Sequence, residues 1–145
     1  MIRKAEACDL DMITVLALQL WPEHTAQGLK AEFCEVLLCR DAAFFLAFDG
    51  EHPVGFAQCQ LRHDYVEGTE TSPVGYLEGI YVVPEYRKKG FAGDLLDACE
   101  NWAKEKGCRE FASDCELGNT PSLQFHLRMG FAEANRIICF TKKLY

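Results

Sequence analysis

The order of apolar and polar positions predicts helices and strands from the first residues onward. Residues 1–5 read as a short strand. From there to residue 20 apolar side chains recur at 10, 13, 16, 17 and 20, the spacing of one helix face, and Asp9 is positioned to cap that helix. Trp21-Pro22 ends it, because the residue before a proline is driven out of the α region. A second helix with one apolar face is predicted from about 26 to 40.

A group of strands follows. The apolar run at 42–48 is closed by Asp49-Gly50, a turn pair, and 53–65 alternates as its hairpin partner. After the loop at 68–73, residues 74–83 read as another strand. Glycine at 79, inside that strand, suits either a bulge or close packing, and the pattern does not choose between them.

The second half of the chain predicts a helix from Phe91 with Gly107 as its C-terminal cap, a strand at 108–114, a helix at 119–129 stopped by Gly130, and a last strand at 136–144. Three consecutive strands followed by alternating strands and helices predict an α/β sandwich with a mixed sheet. Without a repeat or a linker, residues 1–145 are expected to form one domain.

Charge narrows the class of partner. Fifteen Lys and Arg against 22 Asp and Glu give a net charge of −7, which makes nucleic acid and anionic membranes poor partners. A cationic partner or substrate fits better. No apolar stretch is long enough to cross a bilayer, and the N-terminus has no signal-peptide core, so a cytoplasmic location is expected.

Eight cysteines stand out in a chain of this length. None forms a C-x-x-C pair, and no two pairs have zinc-ligand spacing, so no metal site is predicted. Most lie in apolar segments, where a reduced thiol acts as a small hydrophobic group. We expect buried, unpaired thiols.

The densest positive charge, Arg87-Lys88-Lys89, precedes Gly90 at the start of a predicted helix. A helix N-terminus has free amides and the positive end of the helix dipole, and glycine lets a ligand approach the backbone closely. The turn could therefore hold a pyrophosphate. A basic turn before a helix is also typical of a solvated surface, and the pattern alone leaves both open.

Two segments together resemble the GNAT acetyltransferase superfamily. "YVVPEYRKKGFAGDLL" (81–96) is similar to its motif A, Arg/Gln-x-x-Gly-x-Gly/Ala, and "NTPSLQFHLRMGF" (119–131) to the motif that follows about 30 residues later. The resemblance implies a mixed, mostly antiparallel central sheet flanked by helices, and acetyl-coenzyme A as co-substrate. It implies pyrophosphate binding by the amides of Lys88, Lys89, Gly90, Phe91, Ala92 and Gly93.

The same resemblance implies that the pantetheine arm lies along Ile80, Tyr81 and Val82, near Asn119. One backbone amide there would face the thioester oxygen, a contact typically worth about 3–4 kcal/mol.

Further segments resemble the aminoglycoside 6′-N-acetyltransferases: "LWPEH" (20–24), "RHDYVEG" (62–68), "SPVGYLEGIYV" (72–82) and "CREFASD" (108–114). These enzymes acetylate a primary amine of antibiotics such as kanamycin. The resemblance assigns five residues to the antibiotic pocket: Trp21, His24, Tyr65, Glu78 and Asp114. Relatives are commonly homodimers, and the apolar run at 136–140 could form part of such an interface.

The chemistry of these residues suits an amine acceptor. A polycation needs carboxylates to replace its hydration, and one group must take a proton from the ammonium before it can attack. We expect Asp114 to be that base and Glu78 to orient the amine, while Trp21 and Tyr65 offer flat faces to a sugar. The same tryptophan at a helix end also suits the core.

Two positions depart from the family pattern. His126 stands where many GNAT enzymes have a tyrosine that protonates the leaving thiolate, and Asn135 stands where relatives can have an acidic, antibiotic-contacting residue. Two rival functions stay open. One is acetylation of another amine, such as a polyamine or a peptide, and the other is a non-catalytic acyl-CoA-binding sensor, which would not need the acceptor-side carboxylates.

Overall fold

A computed structural model describes all 145 residues, which form five strands and four helices. The strands are β1 (Ile2–Lys4), β2 (Ala42–Asp49), β3 (His52–Arg62), β4 (Val74–Val82) and β5 (Phe111–Ala112). The helices are α1 (Leu10–Leu20), α2 (Ala26–Leu38), α3 (Phe91–Glu105) and α4 (Thr120–Arg128).

The five strands form one sheet in the order β1-β2-β3-β4-β5. The first four pair antiparallel, and β5 runs parallel to β4 in a short ladder that joins Gly75 to Phe111 and Tyr76 to Ala112. The mixed, mostly antiparallel sheet predicted from the sequence is confirmed.

Both faces of the sheet are buried, which explains why β2 is apolar throughout. Alternate residues of a strand point to opposite faces. Phe44, Leu46 and Phe48 join the core under α1 and α2, while Ala43, Phe45 and Ala47 join the core under α3. Two helical layers therefore enclose the sheet.

Helix α1 starts where predicted, but the proposed cap is wrong. Asp9 occupies the N-cap position and makes no capping hydrogen bond to α1. Its carboxylate instead accepts from the Glu6 amide at 2.8 Å and from the Arg3 guanidinium at 2.8 and 2.9 Å. The Arg3 contact holds the pKa of Asp9 below its usual range. A strand-to-helix ion pair outcompetes the local cap, which sequence spacing could not reveal.

The predicted last strand is wrong, and the preceding one is shorter than predicted. Residues 132–145 have no regular secondary structure and lie exposed, and only Phe111 and Ala112 of the predicted 108–114 strand are paired. A strand exists only where a neighbour receives its backbone hydrogen bonds. Within one copy of this chain, the apolar run at 136–140 has no such neighbour.

The cysteines are all free thiols, as expected, but the expected burial is wrong for most of them. Cys59, Cys99 and Cys108 are buried, whereas the remaining five are exposed. Of the exposed thiols in apolar segments, Cys34 lies on the exposed face of α2, Cys39 directly follows that helix, and Cys139 lies in the exposed C-terminal tail. No helix combines the length and hydropathy required to span a bilayer.

Candidate active site

The turn between β4 and α3 presents a run of unbonded backbone amides. The Arg87 amide donates to the Pro84 carbonyl (3.2 Å), and the Asp94 amide donates to the Gly90 carbonyl (3.0 Å). The six amides between them, at 88–93, make no hydrogen bond within the chain. Lys88 and Gly90 both have positive φ, 63° and 92°, which turns the chain tightly. Such a curl of amides at a helix N-terminus is an anion-binding geometry.

The three basic residues of this turn have different surroundings. The Arg87 Nε donates to the Val82 carbonyl at 2.8 Å, so this side chain fastens the turn to the end of β4. Lys89 Nζ lies 5.3 Å from the centre of the Tyr86 ring, and Lys88 is exposed. Neither lysine has a hydrogen-bonding partner within the chain, so both charges are available to an external anion.

One edge of β4 is open next to this turn. Strand β5 pairs only with Gly75 and Tyr76, so β4 beyond that point has β3 as its single neighbour. Because the Val83 amide bonds the Val54 carbonyl of β3, alternation along the strand directs the amides of Ile80 and Val82 to the open edge.

Tyr81 lies between those two residues and belongs to the paired side of β4. Its backbone faces β3, and its phenol donates to the Gln19 side chain at 2.7 Å. The open edge is therefore formed by two of the three predicted strand residues.

The start and end of α4 are fixed by side chains predicted to meet the cofactor. Asn119 accepts from the Ser122 amide at 3.2 Å and caps the helix, which leaves its own amide donors free. His126 donates from Nδ1 to the Ser122 carbonyl (2.7 Å), while its Nε2 lies 2.8 Å from the Ser113 hydroxyl. Both ring nitrogens of His126 therefore have partners inside the chain.

A cavity of about 150 Å³ lies between α1, α2 and the middle of the sheet. It brings together three of the predicted acceptor residues, Trp21, His24 and Glu78. Four residues that the sequence did not single out complete its lining: Leu29, Glu32, Phe33 and Gln58. Two carboxylates and the Trp21 indole line this acceptor cavity, and such a combination suits a cation bearing an apolar or ring-shaped body.

Glu78 and Asp114 are linked through two side chains that sequence reasoning missed. The Arg62 guanidinium donates to Glu78 at 2.9 Å and stacks 3.4 Å from the centre of the Tyr76 ring. The Tyr76 hydroxyl donates to the Asp114 carboxylate. Burial and the Asp114 carboxylate raise the pKa of Tyr76, so its phenol stays a proton donor to that carboxylate. Tyr76 precedes Glu78 by two positions, and that strand spacing was the available signal.

Tyr65 and Asn135 lie away from the acceptor cavity and meet at Glu67. The Tyr65 hydroxyl donates to one Glu67 oxygen (3.2 Å), and the Asn135 side chain donates to the other (3.2 Å). Tyr65 lines a second, open cavity of about 250 Å³ formed by the loop between β3 and β4. Of the predicted substrate residues, Tyr65 and Asn135 therefore lie apart from the acceptor cavity.

That loop is fastened by Glu110, which precedes β5. Its carboxylate accepts from the Thr71 hydroxyl and from the Thr71 and Glu70 amides at 2.8 and 2.9 Å. These bonds, the hydroxyl bond foremost, hold the pKa of Glu110 below its usual range. Glu110 therefore holds in place the loop that contains Tyr65.

Glycine at 79 turns out to serve both roles that its position suggested. The β3–β4 register shifts between Gln58 and Cys59, so Glu78 is the extra residue of a bulge next to Gly79. The Trp21 indole lies directly over Gly79, where an added Cβ would approach two of its ring carbons to 2.6 Å. The bulge and the indole together shape the acceptor cavity.

Replacing Gly79 with alanine is expected to displace the Trp21 indole from the wall of the acceptor cavity. Overpacking of this kind costs about 1–3 kcal/mol, so the KM for the amine acceptor should rise about tenfold or more. The KM for acetyl-CoA should stay near wild type. Gly118→Ala is the matched control, because an added Cβ there meets nothing within 4 Å. An unchanged acceptor KM in Gly79→Ala would contradict the role given to this contact.

Comparison with known proteins places the geometry in a family. Residues 10–131 match the Acetyltransferase (GNAT) family. The aminoglycoside N(6′)-acetyltransferase type 1 of Salmonella typhimurium is 41% identical over 142 residues, which cover 98% of each chain. The Serratia marcescens protein of the same name is 40% identical over 94% of this chain and 97% of its own.

Solved structures of aminoglycoside acetyltransferases are similar to this chain. AAC(6′)-Iy in complex with the bisubstrate analogue CoA-S-monomethyl-acetylneamine superposes with a TM-score of 0.95 at 40% identity, covering 99% of this chain and 97% of that one. AAC(6′)-Ih from Acinetobacter baumannii gives a TM-score of 0.92 at 36% identity, covering 100% and 99%. On the evidence of the amide turn, the open strand edge and these matches, the chain belongs to the acetyltransferase (GNAT) family.

Proposed function

We propose that this chain transfers the acetyl group of acetyl-coenzyme A to the 6′-amine of an aminoglycoside antibiotic. The observation that carries the proposal is the pairing of an anion-binding amide turn after the end of β4 with an acidic, aromatic acceptor cavity next to Glu78 in the middle of the same strand. Relatives at about 40% identity over nearly the whole chain have this activity in their names, and one of them binds a CoA-based bisubstrate analogue.

Backbone and side-chain groups of this chain would bind the co-substrate. The six free amides at 88–93, with Lys88 and Lys89 beside them, would bind the pyrophosphate. The open-edge amides of Ile80 and Val82 would pair with the pantetheine arm, and one of them would face the thioester oxygen. The free side-chain amide of Asn119 is available to the same arm.

The acceptor would be held by its charge and by its ring. Glu78 and Glu32 in the acceptor cavity would receive ammonium groups, and Trp21 would cover a sugar ring. His24 lies at the rim of the cavity, with its ring centre 6.5 Å from that of Trp21. In the second cavity, Tyr65 and Asn135 share Glu67 and would meet a more distant part of the antibiotic.

Direct transfer in a ternary complex balances with the groups present. An acceptor ammonium loses one proton to Asp114, and its nitrogen then forms a bond to the acetyl carbon as the carbon–sulfur bond breaks. The second proton lost from nitrogen ends on the departing thiolate. The hydrogen bond from the Tyr76 hydroxyl would stabilise the Asp114 carboxylate, and Glu78 would orient the amine. His126 would reach the thiolate only after exchanging one of its two bonds.

The test is acetyl-CoA turnover, followed by thiol release, with kanamycin, spermidine and a peptide panel as acceptors. We expect kanamycin to be acetylated with the highest kcat/KM. Turnover with spermidine or a peptide but none with kanamycin would replace the substrate and retain the family. Binding of acetyl-CoA without turnover of any amine would favour the non-catalytic sensor.

The same proposal includes a homodimer built on the C-terminal tail, residues 132–145. Ile137, Ile138 and Phe140 in this tail are 68%, 77% and 88% exposed. Contiguous apolar surface of this kind is typical of an interaction site. Because β5 ends the sheet and leaves an edge free, the tail of a second copy could add a strand there, and each copy would supply what the other lacks.

Replacing Ile138 with aspartate is expected to convert a dimer into a monomer, because a charge in an apolar interface loses its hydration without a partner. Light scattering after gel filtration gives the mass directly. Val15→Asp, which alters another exposed apolar residue on α1, is the control and should leave the mass unchanged. A wild-type chain that is already monomeric at micromolar concentration would contradict the dimer.

The proposed setting is the cytoplasm. All eight cysteines are free thiols, which is typical of a reducing compartment. The net charge of −7 opposes binding to nucleic acid or to an anionic membrane, so neither is proposed as a partner.

A further inference from the structure

A glutamine at the base of the acceptor cavity has no partner inside the chain. Gln58 lies on β3 opposite Gly79, at the register shift, and is 6% exposed. Its side chain makes no hydrogen bond within the protein, and it contributes to the cavity lining beside Glu78. Trp102 Nε1 is the one side-chain nitrogen or oxygen that is sealed from solvent without a partner, so the Gln58 amide has access to the cavity.

An amide in so buried a residue is seldom without a partner in the chain. Most such side chains are hydrogen-bonded, and Gln58 can bond only to what enters the cavity. The position of the amide next to the cavity points to a ligand that completes its bonds.

The chemistry of an amide differs from that of its neighbours. Glu78 and Glu32 can only accept hydrogen bonds while ionised, so a carboxylate by itself does not distinguish one ammonium ligand from another. The Gln58 amide can also donate, and a donor recognises hydroxyl and ether oxygens. A sugar ring has such oxygens next to its amines, whereas an unbranched polyamine has none.

We propose that Gln58 is a specificity-determining residue that donates to a hydroxyl or ring oxygen of the acceptor sugar. The carboxylates of the cavity attract cations in general, and Gln58 selects those that are amino sugars. A site built to bond an oxygen discriminates strongly against a ligand without one, because the buried group is then left unpaired. The inference rests on the proposed aminoglycoside activity and adds a physical basis for excluding polyamines.

The test compares wild type with Gln58→Leu and Gln58→Met. The kcat/KM for kanamycin should fall at least tenfold, while the KM for acetyl-CoA stays within twofold of wild type. Spermidine, measured as a competitive inhibitor, should change its inhibition constant less than twofold. The melting temperature should not fall, since no hydrogen bond within the chain is lost. Gln60→Leu, on the same strand but outside the cavity lining, is the matched control.

Each outcome separates the inference from the function on which it rests. A lower melting temperature with unchanged kanamycin kinetics would make Gln58 a packing residue and overturn the inference alone. If the Gln58 variants lose binding of kanamycin and of spermidine to the same extent, Gln58 does not select between the two ligands. A wild-type protein without any turnover of kanamycin would overturn the proposed function, and the inference with it.

Discussion

Replacing Asp114 with asparagine is expected to lower kcat by about 10²–10⁴-fold, the range typical of losing a general base. The amide keeps the size of the side chain and its bond to the Tyr76 hydroxyl, so the fold should persist. Acetyl-CoA affinity should stay near wild type, because the proposed cofactor contacts lie on the turn after β4. Steady-state kinetics and calorimetric titration with acetyl-CoA measure the two effects separately.

Two variants make this result interpretable. Glu116→Gln removes the same charge two positions along the chain and should leave kcat near wild type. Tyr76→Phe removes the partner of Asp114 and leaves the carboxylate in place. If Asp114 serves only to hold Tyr76, Asp114→Asn should stay active because its amide keeps that bond, whereas Tyr76→Phe should lose activity. Full activity in Asp114→Asn would exclude Asp114 as the base.

Replacing Gly90 with valine is expected to weaken acetyl-CoA binding by about 100-fold. The backbone φ of 92° at this position is strained for a β-branched residue, which must move the turn to relieve it. Losing two charge-assisted bonds of about 1.5 kcal/mol each corresponds to about that factor. Calorimetric titration with acetyl-CoA checks it, and kcat at saturating co-substrate should change less than affinity.

Lys88→Gly distinguishes the backbone from the charge at the same turn. Lys88 also has positive φ, so glycine should relieve strain and keep every amide in place. We expect at most a tenfold loss of affinity from the missing charge. A loss as large as that of Gly90→Val would assign the binding to the lysine side chain rather than to the amide turn.

Positive and negative groups of the candidate site lie at different positions along β4. Free amides and two lysines lie after the end of β4, and carboxylates lie at its bulge and around the acceptor cavity. An anionic co-substrate and a cationic acceptor would thus approach from different directions and meet at the open edge of β4. The arrangement explains how an acidic protein can bind a pyrophosphate: a local field of backbone dipoles acts at contact distance, where net charge matters less.

Most helices and strands could be predicted from periodicity because each is amphipathic or fully buried over its own length. Helices α1, α2 and α3, and strands β2 to β4, begin and end within a few residues of prediction. The errors lie where an element depends on something distant. Asp9 pairs with Arg3 instead of capping α1, and the C-terminal run lacks a neighbouring strand.

The candidate site likewise has residues that the sequence could indicate and residues that depend on distant parts of the chain. The resemblance to a family predicted the amide turn and assigned Trp21, His24 and Glu78 to the acceptor pocket. It could not identify Arg62, Gln58 or Glu32, because nothing local distinguishes a residue facing a cavity from one facing solvent.

The sequence by itself determined the layered α/β class and the acidic net charge, because these follow from short-range pattern and composition. The cofactor turn and the acceptor residues were predicted by the resemblance of their segments to a family. Only the tertiary structure decided which side chains meet. The short β5 leaves one edge of β4 open, and Glu78 bulges from the β3–β4 ladder. The Trp21 indole lies over Gly79, Tyr76 and Arg62 link the two carboxylates, and Gln58 has no partner in the chain. The physical reason is that these contacts join residues distant in the chain, whose approach depends on how the whole sheet twists and packs.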